Sequence, residues 1–475
     1  MTERLDQKKL LDFIKSYEDA EMQKMFTEFG KKKVESPIYN PNWEKEGDLL
    51  NTLKSLSNWI KNQVRIFNDG FINNKNQTPL YYGNIETTDQ ELTYSILFYC
   101  HIDKVPFGSD WKIADPNNPK LIDSRFYGRG IANGFSTIFA FITAIKGILD
   151  QNFKIPNINI LIETGYESGS VDLPNHIKQI FQGYNFDMII SLDSESPVNN
   201  NFHFINTMKG SLIIDTKVQT VQRSVHSGTF GGFIPDPFLI FQSIFNNIEN
   251  IKDNEIDIPC LHIDITEEQK KEAKKVIDKI GNFYNKFDKI KNLILIGGDD
   301  SVNNYLYGTL LPCINVIGCD NVPNVGQGGG VINPYFTFRL DFGVPHILNI
   351  NDAYDKVNDT IIKNPPFNAS IENKLVDCVQ GCDLNISNKI WDEINFHNKE
   401  IFNDESFKFG LSKPIRGLQV LKSLRNDTPI ICTGFSEIFN SNNRKGDENI
   451  DINYFNLVIC EIAHIIAGYP RYISN

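Results

Sequence analysis

The sequence predicts an α/β protein in which helices cover a parallel sheet and a smaller α+β segment interrupts the chain. Three observations predict this class. Short apolar runs suited to buried strands, "YSILFYC", "NINILIE" and "DMIISL", follow one another between residues 94 and 192. The helical stretch "STIFAFITAIKGILD" separates the first two. From Ser211 onwards the pattern changes, which indicates a second structural unit.

Helical segments come before the sheet. Apolar residues recur at helical spacing from Leu5 to Phe29 and again from Leu49 to Ile66. The three strand-like runs then alternate with helical sequence, and this order is typical of a parallel sheet buried on both faces.

The segment after Ser211 combines strands and helices in a different order. The runs "SLIIDTKVQ" and "YFTFRLDF" predict two strands, and helices are expected at 238–248 and from 267 to about 287. The C-terminal part returns to α/β texture and ends in the apolar helix "YFNLVICEIAHIIAG". We therefore predict one α/β domain made of residues 1–210 plus 374–475, with 211–373 inserted as an α+β domain.

Composition and charge exclude several classes of function. The chain has 475 residues and a formal net charge of -12, which argues against binding to a phosphate backbone, so no nucleic-acid partner is expected. Its eight cysteines show no CxxC spacing and are interpreted as reduced core thiols. The start "MTERLDQKKLLDF" resembles neither a signal nor a transit peptide, and no apolar run approaches the roughly 20 residues needed to span a membrane. A cytoplasmic location is expected, with organelle import by an atypical signal left open.

Polar residues follow each of the three predicted strands. His101 and Asp103 follow the first, the segment 163–167 follows the second, and Asp193 follows the third. In open α/β sheets the ligand crevice lies beyond the carboxyl ends of the strands, so these side chains are expected in one crevice. In "HID" the first and third side chains lie on the same side of an extended segment. Asp103 can therefore orient an imidazole whose other nitrogen holds a metal.

An ordered series of motifs resembles the dinuclear-zinc metallopeptidase family that includes carboxypeptidases, aminoacylases and cytosolic nonspecific dipeptidases and carnosinases. The series runs through "CHIDKVPFGSDW", "FYGRGIANG", "ETGYESGS", "SLD", "HSGTFGG", "TFRLDF" and "DENIDI", and is closest to the dipeptidase group. The resemblance implies a zinc-peptidase-like α/β catalytic domain with an inserted α+β lid or dimerisation domain. It covers nearly the whole chain.

The resemblance also assigns a metal site, residue by residue. It implies that His101 and Glu167 are ligands, that Asp103 supports His101, and that Asp193 is the acid after the third strand. All four positions keep the family's residue type.

Three further positions of that site have changed. The aspartate that bridges both metals corresponds to Asn133, the general-base glutamate to Tyr166, and the last ligand histidine to Arg444. A neutral amide cannot bridge two cations as an anion, and a phenol with an ordinary pKa near 10 cannot take a proton from metal-bound water at neutral pH. An arginine has no acceptor and stays charged, so it cannot be a ligand.

These changes lead to a specific hypothesis about the site. We expect the guanidinium of Arg444 to take the place of the lost ion and to pair with Glu167, within about 6 Å. The alternative is that the loop carrying Arg444 points into solvent. No cofactor is expected, or at most one residual zinc held by His101 and Asp193, with Asn133 as a weak third ligand.

The substrate-binding residues that the resemblance implies are His226, Arg339 and Arg416. The loop that should accompany Arg416 is only loosely matched by "PIRGLQV", which keeps the arginine without the Gly-Gly-Ser of the family. His226, Arg339 and the glycine-rich loop "GQGGGVINP" are also compatible with lid packing alone.

The sequence therefore favours an inactive homologue, a pseudoenzyme with a structural, assembly or regulatory role that uses protein partners or a homodimer through the lid domain. The alternative is a zinc-dependent dipeptidase or aminoacylase-type hydrolase of peptide or N-acyl bonds, including one that uses a single metal. A small-molecule binder that uses the old carboxylate pocket is a third possibility.

Overall fold

The computed structural model describes residues 4–88, 93–252, 255–281, 286–287, 289–384, 386–424 and 427–473. The chain divides into two compact units. The first comprises Met1–Asn206, Leu384–Phe409 and Arg416–Asn475, and the second comprises Thr207–Asp383 and Gly410–Ile415. The predicted insertion of 211–373 lies inside the second unit, which begins earlier and ends later.

The helices include those that the periodicity predicts. In chain order they are α1 (Gln7–Tyr17), α2 (Gln23–Gly30), α3 (Trp43–Glu46), α4 (Asp48–Gln63), α5 (Phe135–Asp150), α6 (Leu173–Ile180), α7 (Ser227–Phe230), α8 (Pro237–Ile248), α9 (Glu267–Ile280), α10 (Ser301–Thr309), α11 (Ile350–Ile362), α12 (Asn388–Phe402), α13 (Arg416–Leu424), α14 (Ile452–Ala467) and α15 (Tyr469–Ile473). A short π-helix, Glu18–Met22, joins α1 to α2. The helix expected up to residue 287 ends at Ile280, and residues 282–285 of that prediction lie outside the described part.

The strands are short, and many sit at the edges of small sheets. They are β1 (Ile66–Ile72), β2 (Leu80–Ile85), β3 (Ser95–His101), β4 (Lys120–Ile122), β5 (Arg125–Tyr127), β6 (Asn157–Glu163), β7 (Met188–Ser191), β8 (Glu195–Ser196), β9 (His203–Met208), β10 (Gly210–Gln219), β11 (Val225–His226), β12 (Asn250–Lys252), β13 (Glu255–Asp257), β14 (Cys313–Asp320), β15 (Val331–Ile332), β16 (Tyr335–Val344), β17 (Ser370–Val379), β18 (Cys382–Asp383), β19 (Phe407–Leu411), β20 (Ile430–Cys432), β21 (Ser436–Glu437) and β22 (Asn449–Asp451).

The first unit contains a six-stranded sheet of order β1-β2-β6-β3-β7-β20. The four strands from β6 to β20 run parallel, as the sequence predicts, and every residue of β3 is buried. The edge strand β1 and its neighbour β2 are antiparallel and were not predicted. The residues of β1 are mostly exposed or partly exposed, which weakens its apolar signal, whereas the mostly buried β2 carries Tyr81, Tyr82, Gly83 and Asn84 in place of a continuous apolar run.

Helices α5 and α14 lie in the main apolar core of the first unit. Nearly all residues of both are buried, since each is surrounded by the sheet and by other helices rather than by water. The sheet edge where β3, β6 and β7 end is therefore held by a rigid, close-packed layer.

The second unit contains an antiparallel sheet of order β14-β16-β10-β17, with α8 and α11 contributing to its apolar core. The sequence predicts β10, β16, α8 and α9 but misses β14, β17, α10 and α11. Both missed strands are edge strands with many exposed residues, so their apolar pattern is weak. The boundary predicted at Asn373 falls inside β17, which the second unit keeps whole.

All eight cysteines are free thiols, but the expectation that they lie in the core holds for only three. Cys100, Cys432 and Cys460 are buried, whereas Cys319 is exposed and the other four are partly exposed. Among the described residues, no helix is long and apolar enough to cross a membrane.

Candidate active site

His101 is the last residue of β3, and Asp103 follows it, as the "HID" spacing predicts. The imidazole Nδ1 lies 3.3 Å from a carboxylate oxygen of Asp103, and both side chains are almost completely buried. The Nδ1 atom also lies 3.2 Å from the backbone oxygen of Asp103. The position of Asp103 therefore fixes the orientation of the ring.

The turn after β6 carries Tyr166 and Glu167 and is bound to the same carboxylate. Asp103 accepts hydrogen bonds from the backbone N–H groups of Tyr166, at 3.2 Å, and Glu167, at 2.8 Å. Gly169 ends this single helical turn with a φ of 91°, a conformation that glycine adopts without strain. Asp103 thus holds both the imidazole and the turn in place.

The ring of Tyr166 stacks on the imidazole of His101. Their centroids lie 4.1 Å apart and the planes differ by 14°. Burial raises the pKa of Tyr166 well above its usual value, and the nearby Asp193 raises it further. The phenol is therefore neutral at physiological pH.

Arg444 forms the ion pair that the sequence predicts. Its Nε donates to Glu167 Oε1 at 3.0 Å; the side chain of Glu167 is 8% exposed and that of Arg444 is 49% exposed. Burial raises the pKa of Glu167, and the charge of Arg444 offsets part of that rise. Arg444 has a positive φ of 62°, which is uncommon for a residue with a side chain.

Asn133 lies in the loop before α5 and donates from Nδ2 to Asp193 Oδ1 at 3.2 Å. A buried pair fixes this loop, because Arg129 donates to Glu448 at 2.7 Å and the same carboxylate accepts from the backbone N–H groups of Gly130 and Ala132. Asn133 therefore uses its amide as a donor, opposite to the acceptor role that a bridging ligand needs.

The imidazole of His101 lies between two carboxylates. Its Nε2 is 3.6 Å from Asp193 Oδ1, on the side away from Asp103. Burial alone would lower the pKa of His101, but the contacts with Asp103 and Asp193 outweigh it and raise the pKa well above the ordinary value. Burial would raise the pKa of Asp193, whereas His101, Tyr166 and Arg444 together lower it. The two groups therefore stabilise each other's charged forms.

The side chains do not fit a dinuclear zinc centre. The guanidinium of Arg444 donates a hydrogen bond to Glu167, the carboxylate that the resemblance assigns as a ligand. The amide of Asn133 donates to Asp193. Within the described ranges, no group of three or more His, Cys, Asp and Glu side chains is arranged to hold a metal ion. The guanidinium of Arg444 and the imidazole of His101 thus lie among the carboxylates of Glu167, Asp103 and Asp193.

Glu163 is a buried acid that the sequence placed in the crevice with the rest of 163–167, without a specific role. It accepts hydrogen bonds from the hydroxyls of Tyr99 and Ser170, and burial raises its pKa to about 7. Its position at the end of β6, facing His101 across the strand pair, was the available signal, since acids at strand ends lie beside the crevice.

The three predicted substrate residues lie in different units. Arg416 begins α13 in the first unit and packs beside the turn, since a β-carbon at Gly169 would lie 3.6 Å from its guanidinium. His226 and Arg339 lie in the second unit, where His226 is exposed. Arg339 forms a two-pronged pair with Asp215 of the neighbouring strand, at 2.6 and 2.8 Å.

The sheet, the motif-bearing loops at its carboxyl edge and the second unit define a zinc-peptidase-like α/β protein. The chain belongs to peptidase family M20/M25/M40, whose family model matches residues 97–400.

Curated relatives align over part of their length. A Beta-Ala-His dipeptidase of Rattus norvegicus is 26% identical over 189 residues, which cover 37% of this chain and 37% of the relative. A cysteinylglycine-S-conjugate dipeptidase of Corynebacterium striatum is 23% identical over 288 residues, 58% of this chain and 60% of that protein. The aligned part of these relatives is thus less than two thirds of their length.

Solved structures match over nearly the whole chain. Human carnosine dipeptidase 1 has a TM-score of 0.72 at 15% identity, covering 97% of this chain and 99% of that chain. An M20 family metallo-carboxypeptidase from Sulfolobus solfataricus has a TM-score of 0.74 at 18% identity, covering 94% and 98%. At these identities the likeness shows the fold, and the predicted α/β class with an inserted domain is confirmed.

Proposed function

We propose that this chain is a hydrolytically inactive member of its family, in which an ion network without metal holds the former catalytic centre together. Its role would then be structural, regulatory or in assembly. The observation that carries the proposal is the contact of 3.0 Å between Arg444 Nε and Glu167 Oε1. It places a permanent cation on the carboxylate that would bind the second metal.

The charge balance of the site supports the same conclusion. Two zinc ions would bring about four positive charges, and a bridging carboxylate would help to neutralise them. Here Arg444 and a protonated His101 supply the positive charge opposite Glu167, Asp103 and Asp193. A metal ion entering this network would first have to displace an arginine that cannot lose its proton.

The residue at the general-base position also supports the proposal that the chain is inactive, and this argument does not depend on the metal. Peptide hydrolysis in such a centre needs a group that takes a proton from the attacking water. Tyr166 occupies that position, burial raises its pKa well above the ordinary range, and its ring lies flat on His101. A neutral phenol in this arrangement is a poor proton acceptor.

A second candidate is a single-zinc dipeptidase or aminoacylase-type hydrolase. Two atoms favour it: His101 Nε2 and Asp193 Oδ2 are buried and have no hydrogen-bond partner among the described residues. Those two atoms are suited to one residual ion, and the curated relatives are named as dipeptidases.

The two candidates are separated by assaying hydrolysis of β-alanyl-histidine and cysteinylglycine with zinc, manganese or cobalt, together with the metal content after dialysis. The comparison protein is the triple variant Asn133→Asp, Tyr166→Glu, Arg444→His, and the matched control is Arg4→His, which changes an arginine paired with Glu393, a residue that is not part of the candidate site.

We expect the unmodified protein and the control to bind less than one zinc per chain and to give no turnover, while the triple variant binds about two zinc ions. Turnover by the unmodified protein at about 1 to 10³ per second, the usual range for enzymes, would overturn the proposal. A folded triple variant that binds no zinc would contradict the assignment of the three lost positions.

Two further parts of the proposal come from the sequence. A homodimer through the second unit is tested by sedimentation of the full chain with and without that unit's edge residues changed. A cytoplasmic location is tested by fractionation of cells that produce the protein.

A further inference from the structure

Lys209 of the second unit is a fully buried lysine directly before β10. Its ammonium donates to the backbone oxygens of Tyr307, at 3.0 Å, and Leu311, at 2.9 Å. These oxygens lie at the carboxyl end of α10, where a cation is favourable. The third donor of the ammonium points to Cys313 Sγ, at 3.3 Å.

Among the residues that the structure describes, no carboxylate pairs with this buried amine. The neighbouring acid Asp341 is held by Lys413 instead. Burial lowers the pKa of Lys209, and the contact with Cys313 offsets part of that effect. A share of the amine that is larger than for a surface lysine is therefore uncharged and nucleophilic near neutral pH.

The sulfur of Cys313 has both access and space. Cys313 begins β14 and is only partly buried, so this residue is not sealed from solvent. Directly opposite in β16 stands Gly343, and a β-carbon there would lie 2.6 Å from Sγ and 3.3 Å from the end of Lys209. The absence of a side chain at Gly343 therefore makes room for the sulfur beside the amine.

We propose that Lys209 and Cys313 form a peroxide-sensitive pair that condenses to a reversible sulfenamide cross-link. This proposal does not depend on the function proposed above. It is a modification site in the second unit, and its reagent is hydrogen peroxide.

The chemistry balances in two steps. In the first step, the Cys313 thiolate attacks one oxygen of the peroxide, so that the S–O bond forms and the O–O bond breaks. The leaving hydroxide takes a proton from the Lys209 ammonium. The products are the sulfenic acid, water and the free amine. In the second, the amine attacks the sulfenic sulfur, the S–N bond forms, the S–OH bond breaks, and a second water leaves. Sulfur is oxidised, peroxide is reduced, and a thiol reverses the link.

Lys209 acts in both steps, and this is why the pair differs from an ordinary exposed cysteine. As a cation it supplies the proton that the leaving hydroxide takes, and as an amine it captures the sulfenic acid. The product would join the start of β10 to the start of β14, on either side of the end of β16. The closed loop would contain α8, α9 and α10.

The test treats the full chain with hydrogen peroxide at a few-fold molar excess and maps its peptides by mass spectrometry. Cys319, an exposed thiol on the same strand, is the internal control, because burial and Asp320 raise its pKa. We expect a Lys209–Cys313 cross-linked peptide that is lighter by two hydrogens, formed before Cys319 is oxidised and lost on adding dithiothreitol.

The matched variant is Lys209→Arg, which keeps a cation at the end of α10 but provides no amine for the S–N bond. We expect it to accumulate the Cys313 sulfenic acid, trapped by dimedone, without any cross-link. Cys313→Ser should abolish both products. Oxidation of Cys313 in the unmodified chain that stops at sulfenic or sulfinic acid, or that is no faster than that of Cys319, would overturn the proposal.

Discussion

The ion pair between Arg444 and Glu167 gives the sharpest prediction about stability. Replacing Arg444 by methionine leaves the carboxylate of Glu167, only 8% exposed, without its cation. Breaking a buried pair by removing one partner costs about 3 to 5 kcal/mol, whereas an exposed pair contributes about 0 to 1 kcal/mol. Because Arg444 is half-exposed, we expect Arg444→Met to cost about 2 kcal/mol.

Removing the carboxylate of the pair is expected to cost less stability than removing the guanidinium. Glu167→Gln leaves an arginine that is 49% exposed and is hydrated by solvent, so about 1 kcal/mol is expected. The double variant removes both charges, and its cost should be smaller than the sum by about 1 kcal/mol. The measurement is urea unfolding of the full chain and the two single and one double variants, at one pH and ionic strength. Single costs that add within about 0.3 kcal/mol would refute a direct pair.

Three further predictions concern other buried groups. Both carboxylate oxygens of Glu461 are buried and have no hydrogen-bond partner in the part of the chain that the structure describes, and burial raises the pKa of this acid well above the ordinary value. The unfolded chain therefore ionises first, and stability falls as pH rises above about 4.5, so Glu461→Gln should raise the melting temperature at pH 7.5 but not at pH 4. Burial lowers the pKa of Lys104 to about 7, so the unfolded chain binds this proton more tightly and stability gains with pH between about 7 and 10; urea unfolding of Lys104→Met should lack that gain, and an unchanged pH slope would contradict the assignment. A β-carbon at Gly417 would lie 1.6 Å from the hydroxyl of Tyr99, so Gly417→Ala should displace this tyrosine from Glu163 and lower the melting temperature, and an unchanged value would show that the helix shifts freely.

The buried strands of the first unit could be predicted because their apolar runs are continuous. The run "NINILIE" coincides with β6, and "YSILFYC" differs from β3 by one residue at each end. The edge strands β1, β14 and β17 could not be predicted, since a half-exposed strand leaves little periodic signal in one sequence.

The candidate site could also be predicted only in part from the sequence. The chemistry of Asn133, Tyr166 and Arg444 could be read from residue type once the motif positions were assigned. The contact of Arg444 with Glu167 joins residues far apart in the chain, so only the motif order connected them. The stacking of Tyr166 on His101 and the donor role of Asn133 depend on side-chain orientation, which residue type does not specify.

The contacts of Tyr166 and Arg444 with neighbouring charged residues determine how single substitutions at these two positions would change the stability of the protein. Arg444→His alone would remove the cation that balances Glu167, and Tyr166→Glu alone would add a carboxylate beside Asp103 and Asp193. Each of these single substitutions is therefore expected to lower stability unless a bound metal ion restores the charge balance. The residues at these positions are therefore coupled, because a change at one of them alters the charge balance around the others, and this coupling constrains sequence change at all of them.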